Sequence, residues 1–218
     1  MARTRDEDIT IPIRGGVLHG FLAVPPDATD IVVFAHGSGS SRHSLRNRDV
    51  AEALNDAGFA TLLFDLLTER EDAIDARTRE FRFDIPMLGE RLVIATDWLA
   101  TRADTASLPV GYFGASTGAA AALIAAAERR DTRAIVSRGG RPDLAGDALP
   151  RVQTPTLLIV GEGDEVVIGM NEDARQQMSA PTEMVIVPGA THLFEEPGAM
   201  DEVTRHATEW FRRYLSQV

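Results

Sequence analysis

One segment of the sequence combines residue types that could do chemistry: Gly111-Tyr112-Phe113-Gly114-Ala115-Ser116-Thr117-Gly118, a match to G-x-S-x-G between an apolar run and an alanine-rich one. Glycines on either side of a serine permit a sharp strand-to-helix turn that exposes the hydroxyl, and the following helix aims free N–H groups at negative charge developing nearby. A serine hydroxyl alone is a poor nucleophile; it needs a base to take its proton and an acid to orient the base. The chain has five histidines. His19 falls in an N-terminal alternating stretch, His206 in the last helical stretch, and His36 and His43 in a Gly/Ser-rich loop. His192 stands in Pro188-Gly189-Ala190-Thr191-His192-Leu193-Phe194, between the last strand-like run and the last helix-like one. The matching acid is Asp164, which closes Gly161-Glu162-Gly163-Asp164, with Glu162 and Glu165 as flanking substitutes. Ser116, Asp164 and His192 are spaced by 48 and 28 residues in the order serine, acid, histidine, and each follows a run that reads as a strand. The chemistry this implies is acyl transfer through a covalent serine intermediate.

Such a reaction needs two backbone donors for the oxyanion. One is the N–H of Thr117, directly after the serine; the other is assigned to Ser38 in the loop His36-Gly37-Ser38-Gly39. His36 follows a buried strand at once, and reads as a residue that fixes this loop rather than as the base. Arginines gather at the same edge. Arg42, Arg46 and Arg48 cluster with His43 before a helix that opens near Asn47–Val50, where positive charge opposes the helix dipole. Arg138 and Arg141 follow the strand-like Ala134–Val136. One or two of Arg42, Arg46, Arg138 and Arg141 are therefore expected to hold a carboxylate or other anionic group of the substrate through the guanidinium fork. The competing reading is internal salt bridges to Asp49, Asp65, Glu69 or Asp143. No pair of histidines has metal-ligand spacing and there is no Cys, so neither a metal nor another cofactor is expected.

The elements that must position these residues alternate along the chain. Ile9, Ile11 and Ile13 alternate with polar residues or Pro, turn at Arg14-Gly15-Gly16 and return through Val17–Val24, the pattern of an antiparallel hairpin. Ile31–Ala35, Ala60–Phe64, Pro109–Phe113, Ala134–Val136, Thr156–Val160 and Met184–Val187 read as strands, the most apolar of them as strands covered on both faces. Helices are predicted over Val50–Ala57, Asp84–Leu99 with Pro86 in its first turn, Thr117–Glu128, Asn171–Met178 and Ala199–Leu215. Thr68–Glu80 is charge-dense without an apolar stripe, and is read as a solvated connection, with a lid as the alternative. The alternation predicts an α/β chain with a mostly parallel sheet and helices on both faces, and ligands outside the carboxyl ends of the strands.

These segments resemble the α/β-hydrolases, and within them the dienelactone hydrolase-like branch, including compact hydrolase domains sometimes fused to a phosphoribosyltransferase. The resemblance rests on H-G-S-G-S-S-R-H-S-L-R-N at His36–Asn47, Asp65-Leu66-Leu67-Thr68, Gly111–Ala120, S-R-G-G-R-P-D at Ser137–Asp143, and Gly189–Pro197, and runs from about Ile9 to the C-terminus. It implies an α/β-hydrolase fold. One departure matters: dienelactone hydrolases proper use a Cys nucleophile, whereas this chain offers Ser116.

Composition sets further bounds. The 218 residues are expected to form a single domain (1–218) without a large cap. All 22 basic residues are Arg, against 33 acidic ones, for a net charge of −11. The absence of Lys and Cys excludes a Schiff-base lysine, a Lys-bearing phosphate loop, a thiolate site and a disulfide framework. The acidic balance argues against nucleic acid or an anionic membrane as partner, and the longest apolar run, Ala119–Ala127, is too short to span a bilayer. With no apolar signal segment after Met1, a cytoplasmic location is expected. The expected activity is hydrolysis of a small carboxylic ester or lactone. Acyl transfer to another acceptor, peroxide included, is the enzymatic alternative, and a non-catalytic binding scaffold the other.

Overall fold

The computed structural model describes residues 4–215. Eight strands form one sheet: β1 (Arg5–Ile13), β2 (Gly16–Val24), β3 (Ile31–Ala35), β4 (Ala60–Phe64), β5 (Val110–Ala115), β6 (Ala134–Arg138), β7 (Thr156–Gly161) and β8 (Thr182–Val187), in the order β1-β2-β4-β3-β5-β6-β7-β8. β1 and β2 form the antiparallel hairpin and β2 joins β4 antiparallel; all pairings from β4 to β8 are parallel. Six helices surround the sheet: α1 (Leu45–Asp56), α2 (Glu69–Thr78), α3 (Ile85–Ala100), α4 (Thr117–Glu128), α5 (Glu165–Gln177) and α6 (Ala199–Tyr214). This is the α/β-hydrolase fold.

The interior strands β3 to β7 are short buried runs because helices cover both faces there. Along β3, Ile31, Val33 and Ala35 enter the core under α3 and α4, while Val32 and Phe34 enter the core under α1 and α6. The alanines of α4 let that helix lie almost wholly buried between the sheet and α3. β3 is the point from which the strand order runs both ways, so its carboxyl end and that of β5 flank the crevice where ligands collect in open α/β sheets. Among the described residues no helix is long and apolar enough to cross a membrane.

Several elements depart from the expected bounds. α1 opens at Leu45, not near Val50, because the Ser44 hydroxyl accepts from Asn47 N–H at 3.4 Å and caps a first turn too Arg-rich to show an apolar pattern. α5 starts at Glu165 rather than Asn171; its first turns hold Val166, Val167, Ile168 and Gly169, poor helix formers, yet Val167, Asn171 and Ala174 are buried at helical spacing. The Thr68–Glu80 connection contains the helix α2. A capping box joins Thr68 and Glu71, and buried Asp75 accepts from the Phe81 and Arg82 N–H groups and pairs with the Arg82 guanidinium. Polar bonds therefore order a segment that has no apolar stripe. A 3₁₀ segment, Pro142–Arg151, bent at Gly146, follows β6.

Candidate active site

Ser116 sits between β5 and α4 with φ 51° and ψ −122°, outside the regions L-residues ordinarily occupy and costing on the order of 1–3 kcal/mol. Three backbone bonds pin it there: Ser116 N–H donates to Arg138 O at 3.2 Å, and Ser116 O accepts from Ala119 at 3.1 Å and Arg141 at 3.1 Å. The turn also needs close backbone contact. A β-carbon at Gly118 would stand 2.2 Å from Ala35 O, and one at Gly114 would stand 2.4 Å from Ala119 Cα. The Ser116 side chain makes no capping bond to α4, so its hydroxyl is not committed to its own helix.

Asp164 and His192 arrive from the ends of β7 and β8. His192 Nδ1 lies 2.6 Å from Asp164 Oδ2. An ionised carboxylate only accepts, so Nδ1 carries the proton and Nε2 is left as the acceptor. Asp164 is the N-cap residue of α5 but makes no side-chain cap; its carboxylate turns to the histidine instead. Glu162, a considered substitute, accepts from Gly189 N–H at 2.8 Å and so anchors the loop that bears His192. Gly163 N–H donates to Ala190 O at 2.9 Å in the same loop. Glu165 lies in the first turn of α5. The ring of His192 faces the turn after β6: a β-carbon at Gly139 would lie 3.7 Å from His192 Cε1.

The loop after β3 packs on the serine turn, since a β-carbon at Gly37 would stand 3.1 Å from Ser116 Cβ. Ser38 and Thr117 line one small recess beside it. His36 fixes this loop. Its Nε2 accepts from Leu66 N–H at 3.0 Å, so Nδ1 is the donor to Gly37 O at 2.9 Å. Burial pushes the His36 pKa down, against opposing effects of the Gly37 bond and the Asp65 and Asp72 charges, so the ring is held neutral. Asp65 adds a second tie, accepting from Arg42 N–H at 2.7 Å.

Of the remaining histidines, His19 lies 3.5 Å from Glu69, His43 stacks edge-on against Phe21, and His206 faces Glu202 on α6. The four arginines separate into two kinds. Arg42 pairs with Asp65 and lies over the Phe21 ring, and Arg141 grips Asp143 with Nε at 2.9 Å and an outer nitrogen at 2.7 Å. Arg46 reaches only Glu195, at 3.2 Å, and Arg138 has no carboxylate within salt-bridge reach among the described residues. Sequence reasoning gave no role to Asn171, whose buried amide donates to Gly140 O at 3.0 Å and to Val167 O at 2.8 Å, tying α5 to the turn beside Ser116. Its position inside an element whose start was hidden left no signal.

The sequence model of the dienelactone hydrolase family matches residues 18–217. The chain belongs to the dienelactone hydrolase family. A solved structure described as a dienelactone hydrolase from Anabaena variabilis is 58% identical, covers 98% of this chain and 100% of that one, and superposes with a TM-score of 0.96. A dienelactone hydrolase-like promiscuous phosphotriesterase from metagenomic libraries shares the fold at 17% identity and a TM-score of 0.80, covering 98% of this chain and 100% of that one. A Mycobacterium tuberculosis protein named as a phosphoribosyl transferase is 58% identical over 212 residues, 97% of this chain but 47% of its own length. The chain thus spans about half the length of that relative. Membership makes this chain one of a hydrolase family.

Proposed function

We propose that this dienelactone hydrolase family member is a serine hydrolase that cleaves small carboxylic esters or lactones. The observation that carries the reading is the 2.6 Å contact of His192 Nδ1 with Asp164 Oδ2, at the strand ends where Ser116 is held in a strained turn. In this reading Nε2 of His192 takes the Ser116 proton as Oγ bonds to the carbonyl carbon. The carbonyl oxygen becomes an oxyanion, met by the N–H groups of Ser38 and Thr117 at the positive end of α4. Collapse breaks the bond to the alcohol oxygen, which receives the proton from His192. Water then attacks the acyl-serine by the same route, releasing the carboxylic acid. Asp164 stays ionised throughout and stabilises the imidazolium. The transferase named for the longer relatives would, on this view, draw on the half of those proteins that this chain does not span.

A fluorophosphonate probe tests the reading. Wild type is expected to be labelled, Ser116→Ala not, and hydrolysis of 4-nitrophenyl acetate to disappear with the label. Undiminished labelling of Ser116→Ala refutes the assignment of the nucleophile.

A further inference from the structure

Arg138 closes β6 as a residue only 8% exposed. Its outer nitrogens reach only the Asn47 Oδ1 at 3.4 Å and the Met200 sulfur at 3.8 Å, and its Nε is buried without a partner. Burial, and then the neighbouring charge of Arg46, push its pKa down to about 10, which still leaves it charged at neutral pH. Arg46 itself has a buried Nε without a partner. Arg46 directly precedes the Asn47 that Arg138 touches, so both arginines lie at the N-terminal end of α1, which adds the positive end of its dipole with no acidic residue in its first turn. A buried charge without a counter-charge is costly. The same protein shows what a paired arginine looks like nearby, in the two-pronged grip of Arg141 on Asp143. In a chain of net charge −11, counter-charges are abundant, and none is set against Arg138 among the described residues.

We propose that Arg138 and Arg46, with Asn47 beside them, bind one small oxyanion: a carboxylate, phosphate or sulfate group. The place is next to the reaction centre. Arg138 O accepts the Ser116 N–H, the following Gly139 faces the His192 ring, and Arg46 holds Glu195, three residues beyond His192. Planar forks suit an oxyanion that accepts two bonds from each partner. The Arg46 side chain, 34% exposed, opens the site to solvent. The anion is either an acid group carried on the substrate or a free inorganic ion that neutralises the pair and steadies the His192 loop. Only the first of these rests on the hydrolase reading.

The test has two arms, with Arg46→Gln and Arg138→Gln as variants and Arg48→Gln, an exposed first-turn neighbour, as control. In the first, thermal melting is followed in inorganic phosphate against chloride at equal ionic strength. Phosphate at ten times its Kd is expected to raise the wild-type Tm by roughly 3–6 °C. The control should keep this rise and both site variants lose it; if Arg138→Gln does not fold, Arg46→Gln decides. This arm needs no catalytic turnover, so it stands if the hydrolase reading fails. In the second arm, kcat/KM is measured for 4-nitrophenyl acetate and for the carboxylate-bearing mono-4-nitrophenyl succinate. A fall of about tenfold in the succinate-to-acetate ratio in Arg46→Gln, unchanged in Arg48→Gln, identifies the substrate as the source of the anion. A lost phosphate response with an unchanged ratio identifies a free ion. No phosphate-specific rise in wild type together with an unchanged ratio overturns the site.

Discussion

Replacing Asp164 by Asn separates catalysis from folding more cleanly than any other change at this site. The carboxylate makes one partnered contact, to His192 Nδ1 at 2.6 Å, and none to its own helix, whose N-cap it occupies without a side-chain bond. Asn is almost isosteric, so packing and the backbone bond from Asp164 N–H to Gly161 O at 3.0 Å are retained. What changes is the acceptor. An amide can present its NH₂ to Nδ1, which puts the imidazole proton on Nε2 and leaves no base facing Ser116. In the Ser-His-Asp mechanism this wrong tautomer lowers kcat about 10⁴-fold, equivalent to roughly 5.4 kcal/mol of transition-state stabilisation. The side chain is only 17% exposed, but no helix cap is lost, so the stability change should stay within about 1 kcal/mol, roughly 2–4 °C in Tm. Burst and steady-state kinetics with 4-nitrophenyl acetate, beside a melting curve, measure both. Glu162→Gln is the comparison: its carboxylate holds Gly189 N–H at 2.8 Å and never touches the ring, so its loss should cost less than about tenfold. An Asp164→Asn enzyme within tenfold of wild type, or one less active than Glu162→Gln only because it has unfolded, refutes the reasoning.

Three further outcomes follow from the same geometry. Gly118→Ala would place a β-carbon 2.2 Å from Ala35 O, backbone against backbone, and should lower Tm by at least about 5 °C and remove activity together. Asp75→Asn would leave the Arg82 guanidinium facing an amide and weaken the bonds to the Phe81 and Arg82 N–H groups, costing roughly 3 kcal/mol by denaturant unfolding, with proteolysis beginning around residues 78–84. For His36, the folded pKa lies below the ordinary 6.5, so below that pH the unfolded chain takes up a proton that the folded chain refuses. Its stabilising contribution is present above pH 6.5 and is lost as the pH falls. Denaturant titrations from pH 7.5 to 5.0 should show stability falling by at most about 1.4 kcal/mol per pH unit from this group, and His36→Gln should flatten the slope.

Much of this site could be read along the chain because its members come from short-range signals. Ser116 is announced by the glycines its turn requires, and Asp164 and His192 follow the apolar runs of β7 and β8, which pair in parallel and so end at the same edge of the sheet. The pairing of β7 with β8 is what brings the 28 residues between Asp164 and His192 down to a contact. The arginines were less legible because their partners are set by tertiary structure. The same residue type at the same sheet edge yields a salt bridge at Arg42, a fork at Arg141 and, among the described residues, no carboxylate partner at Arg138, and no local pattern separates them. α2 was hidden for a related reason: its order comes from Asp75, seven residues from Arg82, rather than from an apolar face.

The exclusive use of arginine acquires a physical meaning at particular places. Arg102, Arg129 and Arg141 each grip the acid two residues ahead with Nε and an outer nitrogen: Asp104 at 3.0 and 3.0 Å, Asp131 at 3.1 and 2.6 Å, Asp143 at 2.9 and 2.7 Å. Each fork follows the end of α3, α4 or β6, where the chain turns away from a regular element. A lysine cannot make this contact, since its single ammonium lacks the planar pair of donors. Exposed ion pairs of this kind contribute little stability apiece; what they fix is the direction in which the chain leaves the element. At Arg141 that matters chemically, because the backbone N–H of the same residue is one of the bonds holding Ser116 O. Arg138, three residues earlier, has no such acid ahead of it: Gly140 stands where Asp143 stands for Arg141. The same fork that fastens a turn at one position meets no carboxylate at the other among the described residues, and reaches Asn47 of α1 and Met200 of α6 instead.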